Sequence, residues 1–297
     1  MPRSYTHGIY GDTKSFAGLG EGNTIASLTR LNVVDIFVDF IHGQDVLDGA
    51  NGDWLLTDVG AGVSAGDSWS ILENSQNGIA ALVAGDDASE GLEAAMWGGT
   101  SVGASEFIVP SDKKWITYIA KIGKADADQA ATFAGLASKS SGGATDTVLH
   151  TDGTFIAINY AGFWTAADSN ALFFRSARSS GSEASSYDMG ITLTDGELVV
   201  VGFRIEVDDI SDDDNNGAIR LFQMESNAGI AGVVPTSVSD QDPGPLGKFI
   251  EYQDAQATTL NAVPNDSLAP AFSCVNPAGT TGNALYCDFF YCSTLRA

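Results

Sequence analysis

Positive charge is what this chain lacks most. Lys and Arg number 14 against 38 Asp and Glu, a formal charge of −24 over 297 residues. Neutralising phosphates takes clustered Lys and Arg, so nucleic acid is excluded as a partner. An anionic membrane surface repels the chain for the same reason. Histidine is down to His7, His42 and His150, which leaves few general bases. No run of 18 apolar residues could span a bilayer, and no basic-then-apolar leader opens the sequence. The expectation is assembly in a cytoplasm, with no membrane partner.

Cysteine is scarce too. Cys274, Cys287 and Cys292 make an odd count, far below the density of a disulfide-stapled scaffold. There is no C-x-x-C pair or Cys/His cluster to hold zinc. On one regular strand a spacing of five puts Cys287 and Cys292 on opposite faces, so they cannot bridge each other. Cys274 could reach one of them across a hairpin, but buried reduced thiols are the favoured reading.

What is present is a core and many turns. Hydrophobic residues make up 44% and charged residues only 18%, enough to bury a full domain and too apolar for disorder. Eight prolines stand against 34 glycines, and Asp-Gly, Asn-Gly and Ser-Gly turns separate short β-rich runs. Those runs lie at 33–40, 53–56, 68–72, 78–83, 106–109, 115–122, 133–137 and 155–160. Others lie at 171–175, 190–193, 198–207, 218–224, 248–252, 268–274 and 285–292. Some fifteen strands predict an all-β fold, an antiparallel two-sheet β-sandwich. Asp87 to Trp97 and Ala125 to Phe133 read either as helices or as short turns. Residues 1–32 are rich in Gly, Ser and Thr with scattered aromatics. They predict an extended N-terminal arm before a sandwich domain at 33–297.

Motifs for catalysis are weak. Gly62-Val63-Ser64-Ala65-Gly66 fits the nucleophile elbow, but a strand-like run comes after it where a helix is needed. Glu90 with Glu93, and Glu206 with Asp208, are the nearest carboxylate pairs, and both read as solvated surface. Gly18 to Gly22 neither follows a strand nor contains a lysine, so it is no phosphate cradle. The Asp212-Asp213-Asp214-Asn215-Asn216-Gly217 run fits the start of a calcium loop, with Asp212, Asp214 and Asn216 as alternate oxygen ligands. Its twelfth position is Gln223 and its flanks are strand-like, which excludes an EF-hand. A looser calcium site stays open beside the plainer reading of an acidic turn, and no other cofactor is expected. Among five tryptophans, Trp54, Trp69 and Trp115 sit in alternating strands and read as core. A sugar-stacking face is the other reading for Trp54, Trp69, Trp97, Trp115 and Trp164.

Three blocks carry a resemblance. Val38-Asp39-Phe40 is followed by Asp53-Trp54. Phe107 to Ser111 leads into Lys114 to Lys121, then Ala125 to Gln129 and Phe133 to Ala137. Leu268 to Phe272 precedes a Gly-rich turn and Cys287-Asp288-Phe289-Phe290-Tyr291. Together they resemble tailed-phage structural proteins with a LamG-like, concanavalin-type jelly roll. That resemblance implies a virion component: a capsid decoration (cement) protein on the outer capsid surface, assembled in the host cytoplasm. Its implied partners are the major capsid protein and itself, as a homotrimer, and it carries over no catalytic residue. The alternative it leaves is a calcium-assisted carbohydrate-binding adhesin of a phage particle, with a glycan as ligand. A polysaccharide hydrolase or lyase is the weakest reading, and the chain is expected not to be an enzyme.

Overall fold

The computed structural model describes residues 33–38, 40, 54–60, 67–72, 78–96, 108–112, 114–126, 129–138, 147–156, 158–178, 184–209, 217–224, 249–251, 263–281 and 283–295. Among them are fifteen strands and no helix. These are β1 (Val33–Val38), β2 (Leu55–Val59), β3 (Ser68–Ile71), β4 (Ala80–Val83), β5 (Glu90–Ala95), β6 (Trp115–Lys124), β7 (Ala131–Ala137) and β8 (Tyr160–Thr165). The series continues with β9 (Ala171–Ala177), β10 (Ala184–Thr192), β11 (Leu198–Val207), β12 (Gly217–Met224), β13 (Phe249–Glu251), β14 (Ala269–Asn276) and β15 (Ala284–Leu295).

All pairings are antiparallel, and they make two sheets. The eight-stranded sheet runs β13-β12-β11-β6-β15-β4-β3, with β1 also on β15. The seven-stranded sheet runs β10-β9-β8-β7-β14-β5-β2. The chain changes sheet between β1 and β2, β2 and β3, β4 and β5, β5 and β6, β6 and β7, β10 and β11, β13 and β14, and β14 and β15. This is the antiparallel sandwich that the turn spacing predicted, with crossings of the jelly-roll kind. β14 and β15, consecutive in sequence, each supply an inner strand to a different sheet, so strands distant in sequence meet only once the C-terminal segment is in place.

Period two decides what enters the core. In β6, Ile116, Tyr118, Ala120 and Ile122 are buried, while the residues between them are half-buried. Rings join the sheets: Phe203 lies 5.3 Å from Phe174 and 6.0 Å from Phe163, and Phe290 lies 5.6 Å from Phe272. Trp54 and Trp69 close the cluster with Phe40 and Phe290, as expected of core tryptophans. Trp115 departs from that expectation. It occupies an odd position of β6, faces away from the second sheet, and is only half-buried.

Two sequence expectations need correcting here. Asp87 to Trp97 contains β5, and Phe133 belongs to β7, so neither ambiguous segment is helical where it is described. Both strands are buried on two faces, which erases the alternation that marks a strand. The outer face of the seven-stranded sheet carries a second core: Val148, Leu149 and Ile158 pack on Phe133, Ala137, Tyr160, Ala271 and Val275. The segment expected as a strand over 155–160 is mostly this covering strap, with Phe155 in an isolated bridge to Leu149 and β8 starting at Tyr160.

The second correction concerns the cysteines. A register shift in β15 between Cys287 and Phe289 inserts Asp288 as an extra residue. The shift reverses the parity of the remaining strand residues, so Cys287 and Cys292 both join the inner cluster rather than opposite faces. All three cysteines are free and buried, and burial raises the Cys274 thiol to about 11. Residues 1–32, expected from the sequence to form an extended arm, lie outside the described residues.

Candidate functional site

Strand register arranges the outer face of the seven-stranded sheet in rows. One row is Thr57, Glu93, Ser273, Phe133, Trp164 and Phe173, register partners across β2, β5, β14, β7, β8 and β9. The next row is Leu55, Ala95, Ala271, Gly135, Gly162 and Arg175. Its middle is small, and the glycines matter for a specific reason. A Cβ at Gly162 would stand 2.7 Å from Phe133 ring atoms, and one at Gly135 would stand 2.5 Å from the Cα of Gly162. The glycine pair therefore lets the Phe133 ring lie across the sheet.

Aromatic rings build up from that base. Phe155 of the strap meets Phe133 edge-on, with centroids 5.9 Å apart and planes at 86°. Tyr160 stacks on Phe155 at 4.3 Å. Phe173 lies 5.9 Å from Trp164. Arg175 reaches over this group, its Cζ 4.7 Å from the Phe155 centroid and 5.1 Å from that of Trp164. Phe155, Trp164, Phe173 and Arg175 are each half-buried, so the patch is open at its surface. Burial pushes the Tyr160 hydroxyl up to about 12, with the Arg175 charge opposing the rise.

Two donors in this patch have nowhere to donate. The Arg175 Nε and the Trp164 Nε1 are both buried without a hydrogen-bond partner. The nearby acid is committed elsewhere: Asp188 of β10, register partner of Phe173, accepts the Gly190 backbone N–H at 2.8 Å. Burying a polar group without a partner is costly, so such atoms in a native fold call for an explanation.

The strap is held by its own bonds. The Glu93 Oε2 accepts the Val148 N–H at 2.6 Å, and Ile156 donates its N–H to the Val148 carbonyl at 3.0 Å. At the tip, the Thr154 hydroxyl and backbone N–H donate to Asp152 at 2.6 and 2.9 Å, which lowers that carboxyl below its ordinary value. This turn presents Phe155 to the sheet.

The residues singled out from sequence fall in various places. Asp212, Asp214 and Asn216 lie outside the described residues, and the hairpin flanking them pairs Val207 with Gly217. Among the described residues no group of three or more His, Cys, Asp or Glu is placed to hold a metal ion. Gly62 to Gly66, Gly18 to Gly22, His7, His42 and Trp97 also lie outside the described residues. His150 is exposed on the strap. Glu90 and Glu93 are not the solvated surface pair they were read as. Three apart on β5, they face opposite sides; Glu93 is fully buried and Glu90 half-buried. Glu206 binds Arg204 at 3.0 Å and approaches Arg220 at 3.7 Å, whereas Asp208 is exposed.

Phe155, Tyr160, Phe173 and Arg175 were not recognised from sequence as a site. The signal was there in part, since Phe173 and Arg175 alternate within one predicted strand. What was hidden is that the face they share is outer, and that a strap delivers Phe155 to it.

No protein-family model and no curated protein sequence matches the chain. Solved structures do. Peanut lectin with a nonapeptide is similar at 11% identity and a TM-score of 0.44, covering 88% of this chain and 97% of its own. The CBM2 module of the evolved Dit of Lactobacillus casei BL23 phage J-1 is similar at 10% identity and a TM-score of 0.41, covering 90% and 97%. A Bacillus licheniformis β-glucanase reaches 9% identity and a TM-score of 0.42, covering 89% and 98%. The likeness is one of fold.

The face also limits the chemistry open to it. Among its described strand residues the acids are Glu93 and Asp188, five interstrand steps apart. At about 4.8 Å per step that is roughly 24 Å, against the 5–9.5 Å or so between paired glycosidase carboxylates.

Proposed function

We propose that this protein binds carbohydrate against the outer face of its seven-stranded sheet. One observation carries the reading: half-buried aromatic rings surround two N–H donors, on Trp164 and Arg175, that find no acceptor among the described residues. A pyranose matches that pattern, because its C–H face packs on a ring while its oxygens accept from the half-buried guanidinium. Phe133 and the Gly135–Gly162 pair position the rings, and the strap fixes Phe155 over them. The calcium assistance expected from Asp212, Asp214 and Asn216 is not required by this geometry. The capsid-decoration reading draws on the sequence resemblance and on the arm, and no described residue adds to it.

The test is an oligosaccharide array probed with the full chain, with and without chelator. Sugar binding is expected to survive chelation and to be lost in Trp164→Ala but kept in Trp115→Ala, the half-buried tryptophan of the opposite sheet. Absence of binding to any saccharide, or a Trp164→Ala chain that binds normally, overturns the reading.

A further inference from the structure

Arg175 is unusual in the company it keeps. Although the chain has 38 acids, among the described residues no carboxylate reaches it and its Nε makes no hydrogen bond. A guanidinium is a planar fork of five donors that is always charged, and its natural complement is a carboxylate held by two parallel bonds. Here the fork rests over Phe155 and Trp164, which hold it in place and remove part of its hydration. The acid best placed to neutralise it, Asp188, sits diagonally across β9–β10 and is turned to the Gly190 N–H instead.

From this we infer that the saccharide is an acidic one, a uronate-type sugar whose ring carboxylate pairs with the Arg175 guanidinium beside Trp164. This rests on the carbohydrate-binding reading and names the ligand class within it. The carboxylate pairs with the part of the half-buried fork that reaches the surface, and the sugar ring lies beside Trp164. The face offers no second described cation among its strand residues, so a single fork does the selecting. A chain of formal charge −24 repels polyanions at long range, so discrimination has to come from short-range pairing at this fork.

The experiment is calorimetric titration of the full chain with an oligogalacturonate, its carboxyl-reduced neutral counterpart, and a sulfated oligosaccharide of equal length. Affinity for the uronate is expected to exceed that for the reduced sugar at least tenfold. Arg175→Gln is expected to remove that difference, and Arg175→Lys, which keeps the charge but not the fork, to restore only part of it. Circular dichroism and the thermal midpoint report whether each variant is folded. Equal affinity for uronate and reduced sugar overturns the inference and leaves carbohydrate binding standing. A sulfated sugar bound as tightly as the uronate replaces it with general anion binding. If none of the three binds while a neutral sugar does, the acidic class is wrong. If no saccharide binds at all, both readings fall.

Discussion

Among the described residues each sheet of the sandwich carries one tryptophan–arginine stack on its outer face, and the two are built to the same dimensions. Arg204 lies 5.2 Å over Trp115 on the eight-stranded sheet, and Arg175 lies 5.1 Å over Trp164 on the seven-stranded sheet. The difference is in what surrounds the cation. Arg204 is paired with Glu206, which Arg220 also approaches, so the cation over Trp115 already has a carboxylate beside it. The Arg204 Nε points off the hydrogen-bond direction, so Glu206 lies beside the charge without accepting from that donor. Arg175 has ring neighbours and, among the described residues, no acid paired with it. The geometry of a cation–π contact therefore does not distinguish structure from site; the accounting of charge does. A cation already paired with a carboxylate offers an anionic ligand less than one that rests on rings with no described acid beside it.

The largest expected effect comes from removing the base under the open stack. Phe133 is fully buried beneath Phe155, and Phe133→Ala is expected to cost about 3–5 kcal/mol, with the strap loosened as well. Urea unfolding measures the loss, and limited proteolysis within 147–158 reports the strap. A cost below about 1 kcal/mol with an intact strap would show that the rings do not hold it in place.

That second core is also where sequence reading fails and where the reasons are clearest. The eight-stranded sheet is legible: β6 and β11 alternate, and their predicted spans match the observed ones within two residues at each end. β7 and β14 are buried at every position, because strap residues Val148, Leu149 and Phe155 cover the face that alternation assigns to solvent. β5, with its run of small residues at Gly91, Ala94 and Ala95, reads as turn or helix until it is paired between β2 and β14. Asp288 reverses the facing of everything after it in β15, and no local pattern announces a bulge. The candidate site was legible only as residue types. Its rows exist through register between β5, β14, β7, β8 and β9, and register over such distances is set by the whole sandwich.

Next in size is the ion pair of the closed face. Lys121 donates to Asp288 at 2.5 Å, and both side chains are at most 14% exposed. Lys121→Met leaves the Asp288 carboxylate with its desolvation and without its cation, an expected loss of about 3 kcal/mol. Asp288 also raises the already buried Cys287 thiol. Asp288→Asn is therefore expected to lower that thiol, read as faster alkylation at alkaline pH once fluctuations expose it. An unchanged alkylation rate would mean that burial alone controls Cys287.

A smaller effect tests the comparison directly. Glu206→Ala opens the stack by removing the carboxylate beside Arg204. The Arg204, Glu206 and Arg220 side chains are 39–50% exposed, so water compensates and the expected cost is within about 1 kcal/mol. Saccharide binding should be unchanged in this variant, since Trp115 is not backed by the rings that Trp164 has. A Glu206→Ala chain that acquired uronate binding would show that an unpaired arginine over a tryptophan suffices, and that the second core is dispensable to the site.

The smallest expected effect sits at the rim, outside both stacks. Burial, and secondarily the Asp67 charge, raises the Asp58 carboxyl above its ordinary 3.8. The folded chain therefore holds this proton more tightly than the unfolded chain does. Above pH 3.8 the folded state carries the larger bound-proton number, so stability falls as pH rises through the window up to the folded value. Asp58→Asn removes that penalty. Its thermal midpoint should exceed that of the parent at pH 7, and the gap should close at pH 3, where both forms of the site are neutral. A gap of equal size at both pH values would assign the gain to packing or hydrogen bonding. Repulsion from Asp67 would then have no measurable part in it.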